Sequence, residues 1–151
     1  MPTKKVETES ALNPLEKFRK IFTELEPPKG GLPTMPTRIA DMALDELGNM
    51  IARYTAWREF TEDRHMEACA VYSQCKSQYD LEVDKATLTA TGDTITERKI
   101  EAKTRQHIEI LGKKVDEAEI YVGLLAKKLE SFSNVLAMLS RELTRRGVAN
   151  M

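Results

Sequence analysis

The side chains able to do chemistry fall into three sets: two histidines, two cysteines and a run of cations. His65 sits among Arg64, Met66 and Glu67, and His107 among Arg105, Gln106 and Ile108. They fall on different predicted helices, with no cysteine or second histidine at metal-ligand spacing. Cys69 and Cys75 are the only cysteines. On a helix they are separated by about 9 Å of rise and point to different faces, so they cannot bridge each other. A reduced, cytoplasmic setting suits such a pair. Carboxylates are numerous but scattered along helix faces, and no glycine-rich phosphate loop, nucleophile elbow or zinc spacing is present. The expectation is a non-enzyme, with no metal and no cofactor.

The cations are more informative. Residues 37–91 carry six basic and ten acidic side chains, whereas residues 92–151 carry eleven basic and nine acidic. Arg98, Lys99, Lys103, Arg105, Lys113 and Lys114 meet only Glu101 and Glu109 within their own stretch, and Lys85 approaches from the other side of a predicted turn. A lone chain offers a modest patch. Repeated in an oligomer, the patch becomes a cationic surface able to follow phosphates. The plainer reading is a solvated helix face. No aromatics interleave with these cations, so no base-stacking platform is expected and any grip is on the backbone. Arg141, Arg145 and Arg146 sit where cations complement a helix C-terminus, and capping is their expected role.

These residues must be positioned by long helices. From Ile100 the apolar series runs Thr104, Ile108, Leu111, Val115, Ala118, Val122, Leu125, Leu129, Phe132, Leu136, Leu139 and Leu143. Steps of four and three average 3.5 residues, the period of a coiled-coil seam. Thr94 and Glu97 form a capping box for this helix, and Gly147 is placed to end it. Before it, Thr37 is expected to cap a helix reaching about Thr89, with a seam of Leu47, Met50, Tyr54, Trp57, Thr61, Arg64, Ala68, Val71, Cys75 and Tyr79. Thr91-Gly92-Asp93 breaks the pattern. A short turn between long helices favours antiparallel neighbours. The predicted fold is all-α: a long antiparallel helical hairpin over residues 37–151.

Residues 1–36 read as a flexible arm. Asn13-Pro14-Leu15-Glu16 starts a short amphipathic helix with Leu15, Phe18, Ile21, Phe22 and Leu25 on one face. Pro27-Pro28-Lys29-Gly30-Gly31, followed by Pro33 and Pro36, forms a linker. Trp57, Tyr54 and Phe60 are the aromatic group of the first long helix. Packing is the default role for Tyr54 and Trp57, while Phe60 is available to the arm or to a neighbour.

Charged residues make up 31% of the 151-residue chain and aromatics 6%, which suits exposed or bundled helices better than a sheet. The net charge of −1 gives no global basic field, and no run of apolar residues is long enough for a membrane span. The N-terminal Met-Pro-Thr-Lys-Lys leads into polar residues, unlike a signal peptide, so a cytoplasmic location is expected.

The layout resembles UvsY-like recombination mediators of tailed phages over roughly residues 50–150. The likeness lies in Tyr54-Thr55-Ala56-Trp57 early in a long charged helix, the Gly92-Asp93 turn, a second helix of similar length, and a final Arg145-Arg146-Gly147-Val148-Ala149. The resemblance implies a ring-shaped homo-oligomer that binds single-stranded DNA. It also implies a role in loading a RecA-like recombinase onto strands coated with single-strand-binding protein, in the host cytoplasm if the chain is phage-encoded.

In that family, basic residues near the hairpin turn hold DNA. Here the first arm is acidic there, with Asp80, Glu82 and Asp84 against Lys76 and Lys85. The expected DNA contacts are therefore Lys85, Arg98, Lys99, Lys103, Arg105, Lys113 and Lys114. The expected oligomer interface comprises Phe18, Ile21, Phe22, Leu125, Leu129, Phe132, Leu136, Leu139 and Leu143. The rival expectation is a structural coiled-coil scaffold or adaptor without nucleic-acid binding. A regulator that captures a partner through the N-terminal helix is a third.

Overall fold

The computed structural model describes residues 26–149, with side chains to residue 147. The predicted N-terminal helix, with Phe18, Ile21 and Phe22, lies outside the described residues. The described chain is all-helical. A 3-10 turn at Ile39–Asp41 leads into α1 (Leu44–Thr89), followed by α2 (Ile95–Lys103) and α3 (Gln106–Ala149). With 46 and 44 residues, α1 and α3 are about 69 and 66 Å long. They pack against each other as an antiparallel hairpin.

The seams are the ones the periodicity predicts. On α1, Leu47, Tyr54, Thr61 and Ala68 are buried at successive heptads. On α3, Ile108, Phe132 and Leu139 are buried, and Leu111 through Leu136 on the same stripe are half-buried. Core density concentrates at the two ends. At the open end, Leu47, Tyr54, Phe132 and Leu139 form one cluster, joined by Met50, Ile51, Trp57, Val135 and Leu136. The Tyr54 and Phe132 rings meet edge-on, with centroids 6.0 Å apart. At the closed end, Val83 and Ala86 pack with Ala102 and Ile108, flanked by Tyr79. Between them the α1 seam offers Thr61, Arg64 and Ala68, which cover less of the opposing stripe.

Three local expectations are corrected. Thr37 does not start the first long helix. The 3-10 turn at Ile39–Asp41, flanked by Arg38 and Met42, stands there instead, because Ile39 and Met42 fold over the open-end core and their carbonyls are taken by α3. Arg146 donates from Nη1 to Met42 O at 2.5 Å and from Nη2 to Ile39 O and Ala40 O at 2.9 and 3.2 Å. This arginine clasps the start of α1 from the far end of the chain, rather than capping its own helix. Gly147 lies inside α3, which runs on to Ala149.

The second long helix is also not continuous. It breaks at Thr104 and Arg105, separating α2 from α3. The Thr104 hydroxyl donates to Glu101 O at 2.6 Å, so this short polar side chain competes with the ladder. The break lets Ala102 and Ile108 both reach Val83 and Ala86. It also takes the first seam members out of line: Ile100 is 61% exposed and Thr104 is exposed.

The Pro/Gly linker is laid along α1. Arg53 Nη2 donates to Gly30 O and Gly31 O, Trp57 Nε1 donates to Gly31 O at 2.9 Å, and Tyr54 Oη donates to Pro33 O at 3.1 Å. Gly30 and Gly31 have φ of 89° and 70°, a left-handed conformation that favours glycine. Pro33 is buried and Met35 joins the open-end core. The tyrosine and tryptophan thus pack with their carbon surfaces and anchor the linker with their polar ends. Phe60 lies between Trp57, 5.8 Å away edge-on, and the Arg64 guanidinium, 5.3 Å above its ring.

Two predictions follow from the open end. Leu139 is fully buried there, so Leu139→Ala should lower unfolding free energy by about 2–5 kcal/mol in denaturant titration. Glu142 receives Arg145 at 2.7 and 2.9 Å and Arg146 at 2.8 Å. These hydrogen bonds pull its carboxyl from 4.5 down to about 2. The folded state favours the carboxylate, so this support is present above pH 4.5 and fades as pH falls toward 2. Thermal melts of wild type and Glu142→Gln should therefore differ most near neutrality and converge across that acid range.

Candidate nucleic-acid interface

The predicted cations cluster around the closed end of the hairpin, but they do not share one task. The turn itself is built from side chains of α2. Thr94 and Glu97 form the predicted capping box: Glu97 N donates to Thr94 Oγ1 at 3.2 Å, and Glu97 Oε2 accepts from Thr94 N at 3.2 Å. The same carboxylate oxygen accepts from Asp93 N at 2.9 Å. Glu101 reaches back to the turn and accepts from Thr91 N at 3.0 Å.

Two of the expected phosphate contacts belong to this scaffold. Arg98 Nε donates to Gly92 O at 2.7 Å, and Arg105 Nη1 donates to Thr89 Oγ1 at 2.9 Å. Both arginines retain other N–H groups, but their positions are set by the turn. Lys85 is half of an exposed pair with Glu82 at 3.3 Å. Such a pair is screened and contributes little to stability.

Lys99 and Lys103 are the freer pair. One helical turn apart on α2, both are exposed, and they line a groove with Tyr79, Asp80, Val83 and Asp84 of α1. None of the described ion pairs within 4.0 Å engages either lysine. Asp80 and Asp84 nonetheless face the same groove and offset part of the cationic field. Lys113 and Lys114 are exposed on α3, beyond the helix break. The arrangement offers monodentate phosphate contacts from flexible ammonium groups, with Arg98 and Arg105 held beside them.

The residues expected at an oligomer interface take different places in the single hairpin. Phe132 and Leu139 are enclosed within the single hairpin. Leu125, Leu129 and Leu136 turn their stripe toward α1 and are half-buried, while Leu143 is 40% exposed. The large exposed apolar residues of α3 lie elsewhere, at Ile110, Ile120, Tyr121, Leu124 and Met138. Period reading of the seam passes over them, because Lys and Glu occupy the intervening heptad positions on that outer face.

Among the described residues no group of three or more His, Cys, Asp or Glu side chains is placed to hold a metal ion. His65 Nε2 lies 3.8 Å from Cys69 Sγ, one helical turn away. Among the described residues no helix is long and apolar enough to cross a membrane.

The turn that carries α2 depends on Gly92. A Cβ there would stand 2.8 Å from Glu97 Cβ and 3.0 Å from Arg98 N, with backbone on one side and a capping residue on the other. Gly92→Ala should cost about 1–3 kcal/mol in stability, by the scale of overpacked sites. The measurement is denaturant unfolding, together with faster amide exchange across residues 91–98.

No known protein family, curated protein or solved structure matches the chain in sequence or fold comparison.

Proposed function

We propose that this chain is a non-enzymatic, oligomeric single-stranded DNA-binding recombination mediator. It helps to load a RecA-like recombinase onto strands covered by single-strand-binding protein. The observation that carries the reading is α2, a short separate helix at the tip of the hairpin that presents Arg98, Lys99 and Lys103 to solvent. Added to it is the resemblance in layout to UvsY-like mediators. The chemistry on offer is phosphate neutralisation without base readout, so binding is indifferent to sequence and strongly dependent on salt. Each chain supplies few cations, and an oligomer multiplies them through effective concentration.

A structural scaffold without nucleic-acid binding is the second reading. Asp80 and Asp84 favour it, because they stand in the same groove as Lys99 and Lys103.

One titration separates the two. Retention of a single-stranded oligonucleotide should fall roughly fifty-fold between 50 and 200 mM salt if about four phosphates are neutralised per bound chain. Lys99→Ala with Lys103→Ala should weaken retention at least ten-fold without loss of helicity, since among the described residues neither ammonium group makes an ion pair. Asp80→Asn with Asp84→Asn should strengthen it. Wild-type protein that retains no single strand at low salt would sink the mediator reading and leave the scaffold.

A further inference from the structure

The outward face of α3 carries a compact apolar patch with a patterned rim. Ile120, Tyr121 and Leu124 are 63%, 53% and 64% exposed. Gly123 sits among them in open space, with nothing within 4 Å of the Cβ it lacks, so no contact among the described residues accounts for a glycine in mid-helix. One turn before the patch stand Asp116 and Glu117. One turn after it stand Lys127 and Lys128. All four are exposed. About 16 Å of helix separates the acidic pair from the basic pair, so neither can satisfy the other within one chain.

Locally, Lys127 has an exposed pair with Glu130 at 3.2 Å, and Lys128 Nζ lies 5.0 Å from the Phe132 ring centroid. Asp116 and Glu117 take part in none of the described ion pairs.

We infer that this face is the contact with a second copy of the chain, packed antiparallel across a two-fold axis between Ile120 and Leu124. The argument is self-complementarity. Rotation about that axis exchanges the two ends of the patch. About a line parallel to the helix axis and midway between Ile120 and Leu124, Glu117 and Lys128 lie on one side and Asp116 and Lys127 on the other. The rotation therefore sets Asp116 against the partner subunit's Lys127 and Glu117 against the partner subunit's Lys128. Symmetry makes each pair occur twice, around an apolar centre contributed by both chains. A parallel, in-register pairing would set acid against acid and lysine against lysine. The ion pairs thus fix direction and register, and the apolar centre supplies the association. This contact deepens the oligomer part of the proposed function, and rests on that part rather than on phosphate binding.

The test is charge reversal on the full chain, read as mass by light scattering. Asp116→Lys with Glu117→Lys should raise the dissociation constant at least ten-fold, and so should Lys127→Glu with Lys128→Glu. An equimolar mixture of the two double variants should reassociate, because every cross-pair is then of opposite charge. Leu124→Gln should weaken association without altering charge. All these positions are exposed, and helicity by circular dichroism should be unchanged. Wild-type mass in either double variant, or failure of the mixture to associate, would overturn the contact. So would a wild-type monomer at tens of micromolar. Retention of a single-stranded oligonucleotide, measured in parallel, keeps the two readings apart. The double variants should still bind it at low salt through Lys99 and Lys103, so lost association with retained binding bears on this contact alone.

Discussion

The fold hangs on one line of contact, the apolar seam between α1 and α3. A two-helix hairpin has no third layer, so each helix can bury one stripe only. Cohesion cannot be uniform along such a seam. Large residues meet at the open end, where Leu47 and Tyr54 face Phe132 and Leu139, and smaller ones close the other end around Ala86, Ala102 and Ile108. The middle is thinner, because Thr61, Arg64 and Ala68 stand opposite the α3 stripe. Stability is concentrated where something outside the two helices helps to shut the core.

Each end has its own closure. At the open end the linker covers the core with Pro33, Met35, Ile39 and Met42, and Arg53, Tyr54 and Trp57 tie its carbonyls to α1. Arg146 binds three more carbonyls from the last turns of α3, which joins the two ends of the described chain. At the closed end α2 folds back as a separate piece, with its capping box, Glu101 and Arg98 holding the turn. Charge-assisted bonds to backbone carbonyls and amides recur at both closures, where apolar surface is scarcest.

That economy shapes the surface chemistry. Arg98 and Arg105 hold the turn, so the cations left outside the described ion pairs there are Lys99 and Lys103 on α2 and Lys113 and Lys114 on α3. The acidic arm of α1 tempers the field at the groove through Asp80 and Asp84. On the far side of α3, no layer of the described residues covers the apolar side chains beyond the seam, because the described hairpin is only two helices thick.

The sequence by itself determined the class, the two long helices and the identity of the seams. A period of 3.5 is a local property and survives without knowledge of the partner: Leu47, Tyr54, Thr61, Ala68, Phe132 and Leu139 all turned inward as their spacing required. The Thr94–Glu97 capping box and the end of α1 at Thr89 were legible for the same reason, since their partners lie within one helical turn. What only the tertiary structure decided involves partners distant in sequence. Arg146 binding residues 39–42 displaced the start of α1, and a break at Thr104 let α2 pack back on α1. The division of the candidate site into turn-holding arginines and free lysines also depended on which carbonyls and hydroxyls came near. Charge and spacing mark a residue as available for a contact, but long-range packing sets whether that contact is with the chain's own backbone or is left to solvent.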